Sequence, residues 1–466
     1  MRTLVLAAVI AAIVSIAGAE GSVATAATLV VDDDRAQCAN ADFMTSDVTP
    51  GPIQQAVAAA QPNDLIKVCP GRYTESVTVD KPLTIRAQPD AVDGIDCLQS
   101  TLTELSTDKH AIVDPADDTA VSFTLAADDV RLSGFVIQGG SVGVTTSDGF
   151  SGYRVDHNLI RSHRSYVAAN GSARGGYSVE FGSSGPRKSR VDHNCSRENA
   201  SLAGRRGWGI AASHDLIRGR IDHNASYRLD GAIEIAGSAT HSRLSIDHNT
   251  SMYDFTSIAL WTSENNSRIT ANESGFSPTR AIIVGGNNVG LQITDNWIHD
   301  GWRGIVFTNR FFRPATDPTA LEPVTGVLVR GNSIERGGLD GILVDSMFDA
   351  AGNVTGGSLS DSAISANALT GNGGHGIILR AGNSGNTISD NVSNANARNG
   401  VYAEGATGNV FAGNVMHGNG NANPPDVPPI YFDARDNARA SNTWIGNDCL
   451  TDFPDGTICG SLAGEG

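Results

Sequence analysis

The sequence predicts an all-β chain wound as a single-stranded parallel β-helix, a solenoid of stacked coils, and three observations carry that expectation. First, a five-residue motif ending in Asn recurs ten times, as RVDHN, RVDHN, RIDHN, SIDHN, RITAN, QITDN, LVRGN, AISAN, TISDN and VFAGN, closing on Asn158, Asn194, Asn224, Asn249, Asn272, Asn296, Asn332, Asn367, Asn391 and Asn414. The steps are 36, 30, 25, 23, 24, 36, 35, 24 and 23 residues, so the shortest unit is 23 to 25 residues and the longer ones carry insertions. Such a unit, with no helical pattern, holds three short strands and three turns. Second, the residue three before each Asn, from Val155 and Val191 to Ile388 and Phe411, is always large and apolar. Third, Gly is 53 of 466 residues, charged residues are 18% and aromatics 6%, a composition too apolar for disorder and too Gly-rich for a helical bundle.

Taken in chain order, residues 1–27 read as a secretory signal: one Arg, an apolar run from Leu4 to Ala17, and small-residue cleavage sites at Ala17-Gly18-Ala19 or Ala24-Thr25-Ala26. The rest, 28–466, reads as one exported domain with an N-terminal cap at about 28–65, coils at about 66–447 and a disulfide-closed segment at 448–466. In the cap, PIQQAVAAAQ over 52–61 places Ile53, Ala56, Val57 and Ala60 on one face of a short helix that covers the first coil's open edge. In the coils, Asn is expected to stack on itself one coil apart and form an amide ladder, with Phe135 as a further rung whose Asn is replaced. The sequons Asn224-Ala-Ser226 and Asn249-Thr-Ser251 are then by-products of that ladder. A second strand is visible as GWGIAA, GAIEIAG, SIALW, AIIVGG, GIVFTN, GILVDS, GIILRAG and GVYAEG, and loops are expected at 161–176, 182–189, 199–207, 309–325 and 346–360. At the far end the Pro-rich run 424–429 and a Cys449–Cys459 loop are expected to stop propagation. Cys38 with Cys69 is the next expected pair, and Cys97 and Cys195 either pair or stay free.

The stretch LVVDDDRAQCANADF followed by IQQAVAAAQPNDLIKVCPGRYTESVTVDKPLTIRAQ resembles the entry segment of secreted bacterial proteins with the pectin-lyase-like right-handed parallel β-helix, and the Asn-ended coils resemble their repeat. The resemblance covers the mature chain and implies right-handed winding and a carbohydrate setting. That superfamily includes pectate and alginate lyases, uronan epimerases, polygalacturonases, a copper-insertion protein and members without activity, so function has to be argued from the site.

The net charge of −17 excludes nucleic acid or an anionic membrane as the main partner, and no second hydrophobic segment follows the leader. Residues 151–250 nevertheless hold 14 Lys/Arg against 9 Asp/Glu and seven of the eleven His, a cationic middle suited to an acidic, uronate-containing polysaccharide. There the repeat is strict: Asp156, Asp192, Asp222 and Asp247 share one position, His157, His193, His223 and His248 the next, and Arg154, Arg190 and Arg220 stand two residues before the Asp. Because alternate strand residues share a face, Arg and Asp are expected to project outward together, either as a salt-bridged lattice or as a substrate groove. Elimination or epimerisation of a uronate needs a cation over the sugar carboxylate and a base beside the carbon. Asp222, His223, His193, Asp192 and Asp247 are the catalytic candidates, and Arg190, Arg220, Arg154, Glu234 and Trp261 the substrate-binding ones. Glu180 and Glu234, two coils apart, are the alternative pair for hydrolysis. Trp208, Trp261 and Trp302 are candidates for stacking on sugar, and Tyr153 and Tyr177 for proton donation. No standard zinc spacing occurs, and no cofactor is indicated beyond a divalent cation such as calcium. Gly371-Asn-Gly373-Gly374-His375-Gly376 fits a dinucleotide pattern but lies between β-coils without the helix that pattern needs. A polysaccharide lyase or epimerase, acting as a monomer, is the leading expectation; a non-catalytic carbohydrate-binding surface protein and a glycoside hydrolase are the alternatives.

Overall fold

The computed structural model describes residues 26–44, 51–92, 95–101, 105–169, 173–200, 206–212, 214–236, 241–261, 264–309, 323–349, 351–424, 428–438, 441–454 and 456–459. Most of the expected leader, of the 309–325 loop and of the 199–207 loop, and the middle of the Pro-rich run, fall outside these residues. Three long parallel sheets run the length of the molecule, of 15, 14 and 14 strands. Each coil contributes one strand to each sheet in turn; one coil, for instance, is Arg220–Asp222, Ala225–Tyr227 and Gly231–Ile235. We call these the first, second and third sheets. At about 4.8 Å per coil the 15 strands of the first sheet make a rod roughly 65 Å long. The strand visible in the sequence as GAIEIAG is the third of its coil rather than the second. Between it and the Asn motif lies a three-residue strand such as Cys195–Arg197 or Ala225–Tyr227.

The interior is built from vertical files. Val155 pairs with Val191, Val191 with Ile221, Ile221 with Ile246 and Ile246 with Ile269, all buried in one core. In the third sheet Val179, Ile210, Ile233, Ile258 and Ile282 form a parallel file. The second sheet departs from this pattern. Between Ile160 and Ile298 its inward file is Ser196, Ser226, Ser251 and Ser274, all buried. Buried hydroxyls need partners. The wholly buried Asp254 supplies them for two of the four, accepting from Ser226 at 2.6 Å and Ser251 at 2.7 Å, Ser274 shares a hydrogen bond with Ser257, and burial pushes the Asp254 carboxyl up to about 6.

The Asn ladder sits at the corner between first and second sheets. Each Asn Oδ1 accepts from the backbone N–H and the Nδ2 of the Asn one coil earlier: Asn194 donates to Asn224 at 3.0 Å through both groups. Each Nδ2 also donates to backbone carbonyls, for Asn224 those of Val191 and Asp222 at 2.9 and 3.1 Å. The ladder runs from Asn158 to Asn447, one rung beyond the ten in the sequence, and Phe135 donates its backbone N–H to Asn158 as the rung without Asn. The residue before each Asn takes a left-handed conformation, with φ between 53° and 68° whether it is His223, Ala271, Asp295 or Gly331. The turn thus fixes the backbone and leaves that side chain free to vary.

At the N-terminal end the helix Pro52–Ala59 buries Pro52, Ile53, Ala56 and Val57. Its first N–H groups are satisfied from outside the helix, by the Glu75 carboxylate bonded to Ile53 N and Gln54 N at 3.0 and 2.9 Å. Cys38–Cys69, Cys97–Cys195 and Cys449–Cys459 are all disulfide-bonded, which settles the pair left open by spacing. The loops expected at 161–176 and 346–360 contain antiparallel hairpins, Ser165–Val167 with Ala173–Gly175 and Ser346–Phe348 with Val354–Gly357. No described helix is long and apolar enough to cross a membrane.

Candidate functional site

The sequence-derived candidates fall mainly into two groups of polar side chains on different sheets. On the first sheet Arg154, Arg190 and Arg220 align in register, as do Asp156, Asp192, Asp222 and Asp247. Each Arg reaches past its own coil to the Asp of the next. Arg220 donates Nε and Nη2 to Asp247 at 3.1 and 2.6 Å, Arg190 binds Asp222 in the same two-pronged way with Nε–Oδ1 at 2.7 Å, and Arg154 donates to Asp192 at 3.1 Å. Its Nε also lies 3.4 Å from Asp156 of its own coil. The Asp side chains therefore lie opposite the apolar file, as expected, but they are not exposed: Asp156, Asp192 and Asp222 have no accessible surface and Asp247 has 3%. His157, His193, His223 and His248 stack with ring centroids 4.9–5.0 Å apart, and each sets Nδ1 2.8–3.1 Å from the Asp before it.

This arrangement is a salt-bridged lattice. Like charges one coil apart repel by about 3 kcal/mol at an effective dielectric near 20, and a guanidinium between each pair reverses the sign. Burial pushes the carboxyls of Asp222 and Asp247 up. The Arg190 and His223 hydrogen bonds to Asp222, and those of Arg220, Ser245 and His248 to Asp247, more than offset burial and hold both below the usual carboxylate range. Both oxygens of Asp222 are taken by Arg190, and Oδ2 also by His223, so Asp222 has no open oxygen with which to abstract a proton. The His column cannot chelate one ion as it stands: metal–nitrogen bonds of about 2.1 Å span at most about 4.2 Å between ligands, less than the ring spacing of 4.9 Å. Among the described residues, the group of three acidic side chains close enough to share an ion is Asp32, Asp33 and Asp34 at the N-terminal cap.

The second group is on the third sheet. Outward positions of successive strands run Thr145, Glu180, Ala211, Glu234 and Ala259, so Glu180 and Glu234 sit on one column with a single small residue between them. Thr145 donates to Glu180 at 3.3 Å, and His214, from the loop after Ala212, sets Nε2 3.6 Å from Glu180 and Nδ1 3.4 Å from Asp148. Burial, together with the charge of Asp230, pushes the Glu234 carboxyl up to about 7, against a hydrogen bond from Trp261 that favours the carboxylate. The Tyr177 phenol is pushed up to about 12 by burial and by the charges of Glu234 and Glu180. Trp208 lies one coil below Tyr177 in register, and its ring covers Gly231, where a Cβ would approach Trp208 Cε3 to 2.4 Å. Only glycine at 231 lets that indole lie flat on the next coil.

Of the sequence-derived candidates, the structure gathers Glu234, Trp261, Glu180, Trp208 and Tyr177 around one patch. It places Asp192, Asp222, Asp247, His193, His223, Arg154, Arg190 and Arg220 in the lattice on another sheet. Tyr153 is buried with its hydroxyl donating to Leu125 O and Ser147 O, so it is no proton donor for an external ligand. Trp302 stands 46% exposed several coils on. His214 and Asp148 come from loops without a repeat signal, and no spacing in the sequence points to them.

No family model matches this sequence, and no curated protein matches it. Solved structures do. A PL6 family alginate lyase, AlyGC, aligns over 91% of this chain and 54% of its own, with 15% identity and a TM-score of 0.55. The D317A mutant of the periplasmic alginate epimerase AlgG aligns over 83% and 77%, with 12% identity and a TM-score of 0.47, and the Dettilon tailspike protein over 79% and 62%, with 15% identity and a TM-score of 0.45. The chain thus spans little more than half the length of the lyase and under two thirds of the tailspike. At these identities the likeness is one of fold, and it agrees with the three stacked parallel sheets: the chain has the pectin-lyase-like right-handed parallel β-helix fold.

Proposed function

We propose that the outer face of the third sheet is a glycan-cleaving site in which Glu234 donates a proton to the glycosidic oxygen and Glu180 takes one from the attacking water. The observation that carries this reading is the Glu234 carboxyl, pushed up to about 7 beside a second carboxyl on the same column. At neutral pH about half of Glu234 holds a proton, which is what a general acid needs. Two coils separate the strand positions by about 9.6 Å, at the upper limit of the roughly 6.5–9.5 Å between carboxyls that leaves room for water on the far side of the sugar ring in an inverting hydrolase. The bookkeeping closes: the Glu234 proton goes to the leaving oxygen, water supplies hydroxide to the anomeric carbon, and Glu180 keeps the remaining proton. Trp208 and Trp261 offer indoles beside the carboxyls for stacking on sugar. The acidic surroundings, Asp148 and Asp230 included, favour a neutral sugar at the cleavage point.

Elimination or epimerisation at a uronate is the second reading, and one observation favours it: Arg280 lies on the same sheet two coils past Gly231, a cation to which a sugar carboxylate can bind. A panel of neutral and uronate polysaccharides separates the two. New reducing ends without unsaturated product, abolished in Glu234→Gln and Glu180→Gln, support hydrolysis; unsaturated product supports elimination; retention without turnover supports a binding protein. Full activity in Glu234→Gln overturns the assignment.

A further inference from the structure

We infer that the corner between the third and first sheets is a second glycan site, which holds a linear polyanionic polysaccharide along the rod axis through carboxylate or sulfate groups. A groove of about 610 Å³ lies there, and among the described residues its charged lining is wholly basic: Lys188, Arg190, Arg218, Arg220, Arg243 and Arg268. Two of these are already neutralised, Arg190 by Asp222 and Arg220 by Asp247. Arg268 donates Nε to the Ser245 hydroxyl at 2.8 Å, and its charge has no carboxylate partner among the described residues. Lys188, Arg218 and Arg243 are exposed, and among the described residues their side chains make no hydrogen bond or ion pair. An acidic chain of net charge −17 thus keeps four uncompensated cations side by side.

The order of these cations selects an extended ligand. Arg218 and Arg243 hold the same corner position on successive coils, two residues before Arg220 and Ser245, which are paired in register. Their side chains therefore repeat at about 4.8 Å along the axis, a row that meets a chain of regularly spaced anions better than one compact ion. The backbone beneath is fixed. Arg218 N donates to Ser242 O at 3.0 Å, both Arg residues are in the left-handed conformation, with φ 59° and 56°, and a short extra ladder joins Leu216–Ile217, His241–Ser242 and Glu264–Asn265 at this corner. Neither Glu180 nor Glu234 lines this groove, so the two sites stand or fall separately.

Binding of polygalacturonate (carboxylates), heparin (sulfates), dextran (neutral) and single-stranded DNA, followed by affinity electrophoresis at low and high salt, tests the inference. One or both polyanionic glycans are expected to bind, to weaken at least tenfold as salt is raised, and to leave dextran behind. Arg218→Asn/Arg243→Asn uses the residue that Asn266 supplies at the same corner one coil on, and it is expected to weaken binding about tenfold or more with the melting temperature unchanged. Lys188→Glu, outside the left-handed positions, provides the same readout should the double variant melt early. Glu234→Gln is expected to bind like the wild type. The inference is overturned if neither glycan binds at low salt, if the variants bind like the wild type, or if DNA binds as tightly as the glycans.

Discussion

Glu234 owes its raised carboxyl to opposed influences that can be removed one at a time. Burial and the Asp230 charge push it up to about 7, and the hydrogen bond from Trp261 pulls it down. Trp261→Phe keeps a ring in place and removes the N–H donor. A hydrogen bond to a charged group contributes about 1.5–3 kcal/mol, and 1.36 kcal/mol corresponds to one pKa unit, so the carboxyl should rise by about one to two units. Asp230→Asn removes the like charge and should lower it by at least as much, because that charge raises the carboxyl more than the Trp261 bond lowers it, though less than burial does. The assay is a pH titration of the Glu234 carboxyl by NMR on selectively labelled protein, alongside the pH–rate profile on whichever glycan is cleaved. For a general acid the alkaline limb of the rate follows that titration, near pH 7 in the parent, higher in Trp261→Phe and lower in Asp230→Asn. If both variants move the limb the same way, or the carboxyl titrates near its ordinary value in the parent, the reasoning about Glu234 is wrong.

Two further predictions concern the rod itself. Asn224→Ala removes three donated bonds and the acceptor for two groups of Asn194; with buried donors and acceptors left unpaired it should cost about 3–5 kcal/mol in denaturant unfolding, and a loss under 1 kcal/mol would show that the ladder is dispensable. Arg190→Ala leaves the buried Asp222 carboxylate without its two-pronged partner and should cost about 3 kcal/mol near pH 7. Since Asp222 and Asp247 are held below their unfolded value of 3.8, the lattice's contribution is present above that pH and lost as pH falls through the folded values. The Arg190→Ala deficit should therefore shrink in acid; a deficit constant from pH 7 to pH 3 would refute the ionic account.

The fold was legible because a solenoid writes its packing into the sequence at a fixed interval. The Asn column, the Val155-to-Phe411 file and the capping helix over 52–59 all follow from residue type and spacing. The second-sheet strands were not legible, because they are three residues long and between Ile160 and Ile298 their inward residue is Ser, which gives no apolar alternation. The Arg–Asp–His repeat was legible as a repeat and not as a sealed lattice. Which Asp an Arg reaches depends on the offset between coils, so Arg190 hydrogen-bonds to a carboxylate 32 residues away and stands only in a longer ion pair, at 3.5 Å, with its neighbour two residues on. The third-sheet cluster was half legible: Glu180 and Glu234 follow from strand alternation, while His214 and Asp148 arrive on loops whose course no periodicity records.

The amide column also has a direction, since every rung donates toward the C-terminal end and accepts from the N-terminal side. Its two ends are chemically unlike. It begins under a plain backbone N–H at Phe135 and finishes at Asn447, beside the strand pairing of that residue with Cys459. Anywhere between, a coil is interchangeable with its neighbours at the level of these bonds. Duplicating one 23-residue turn, such as the one that ends at Asn272, would extend the molecule without breaking the column above or below. The span of the rod is thus an adjustable quantity that its terminators set, and the same genetic event that lengthens it also adds one more row to whatever surface runs along its side.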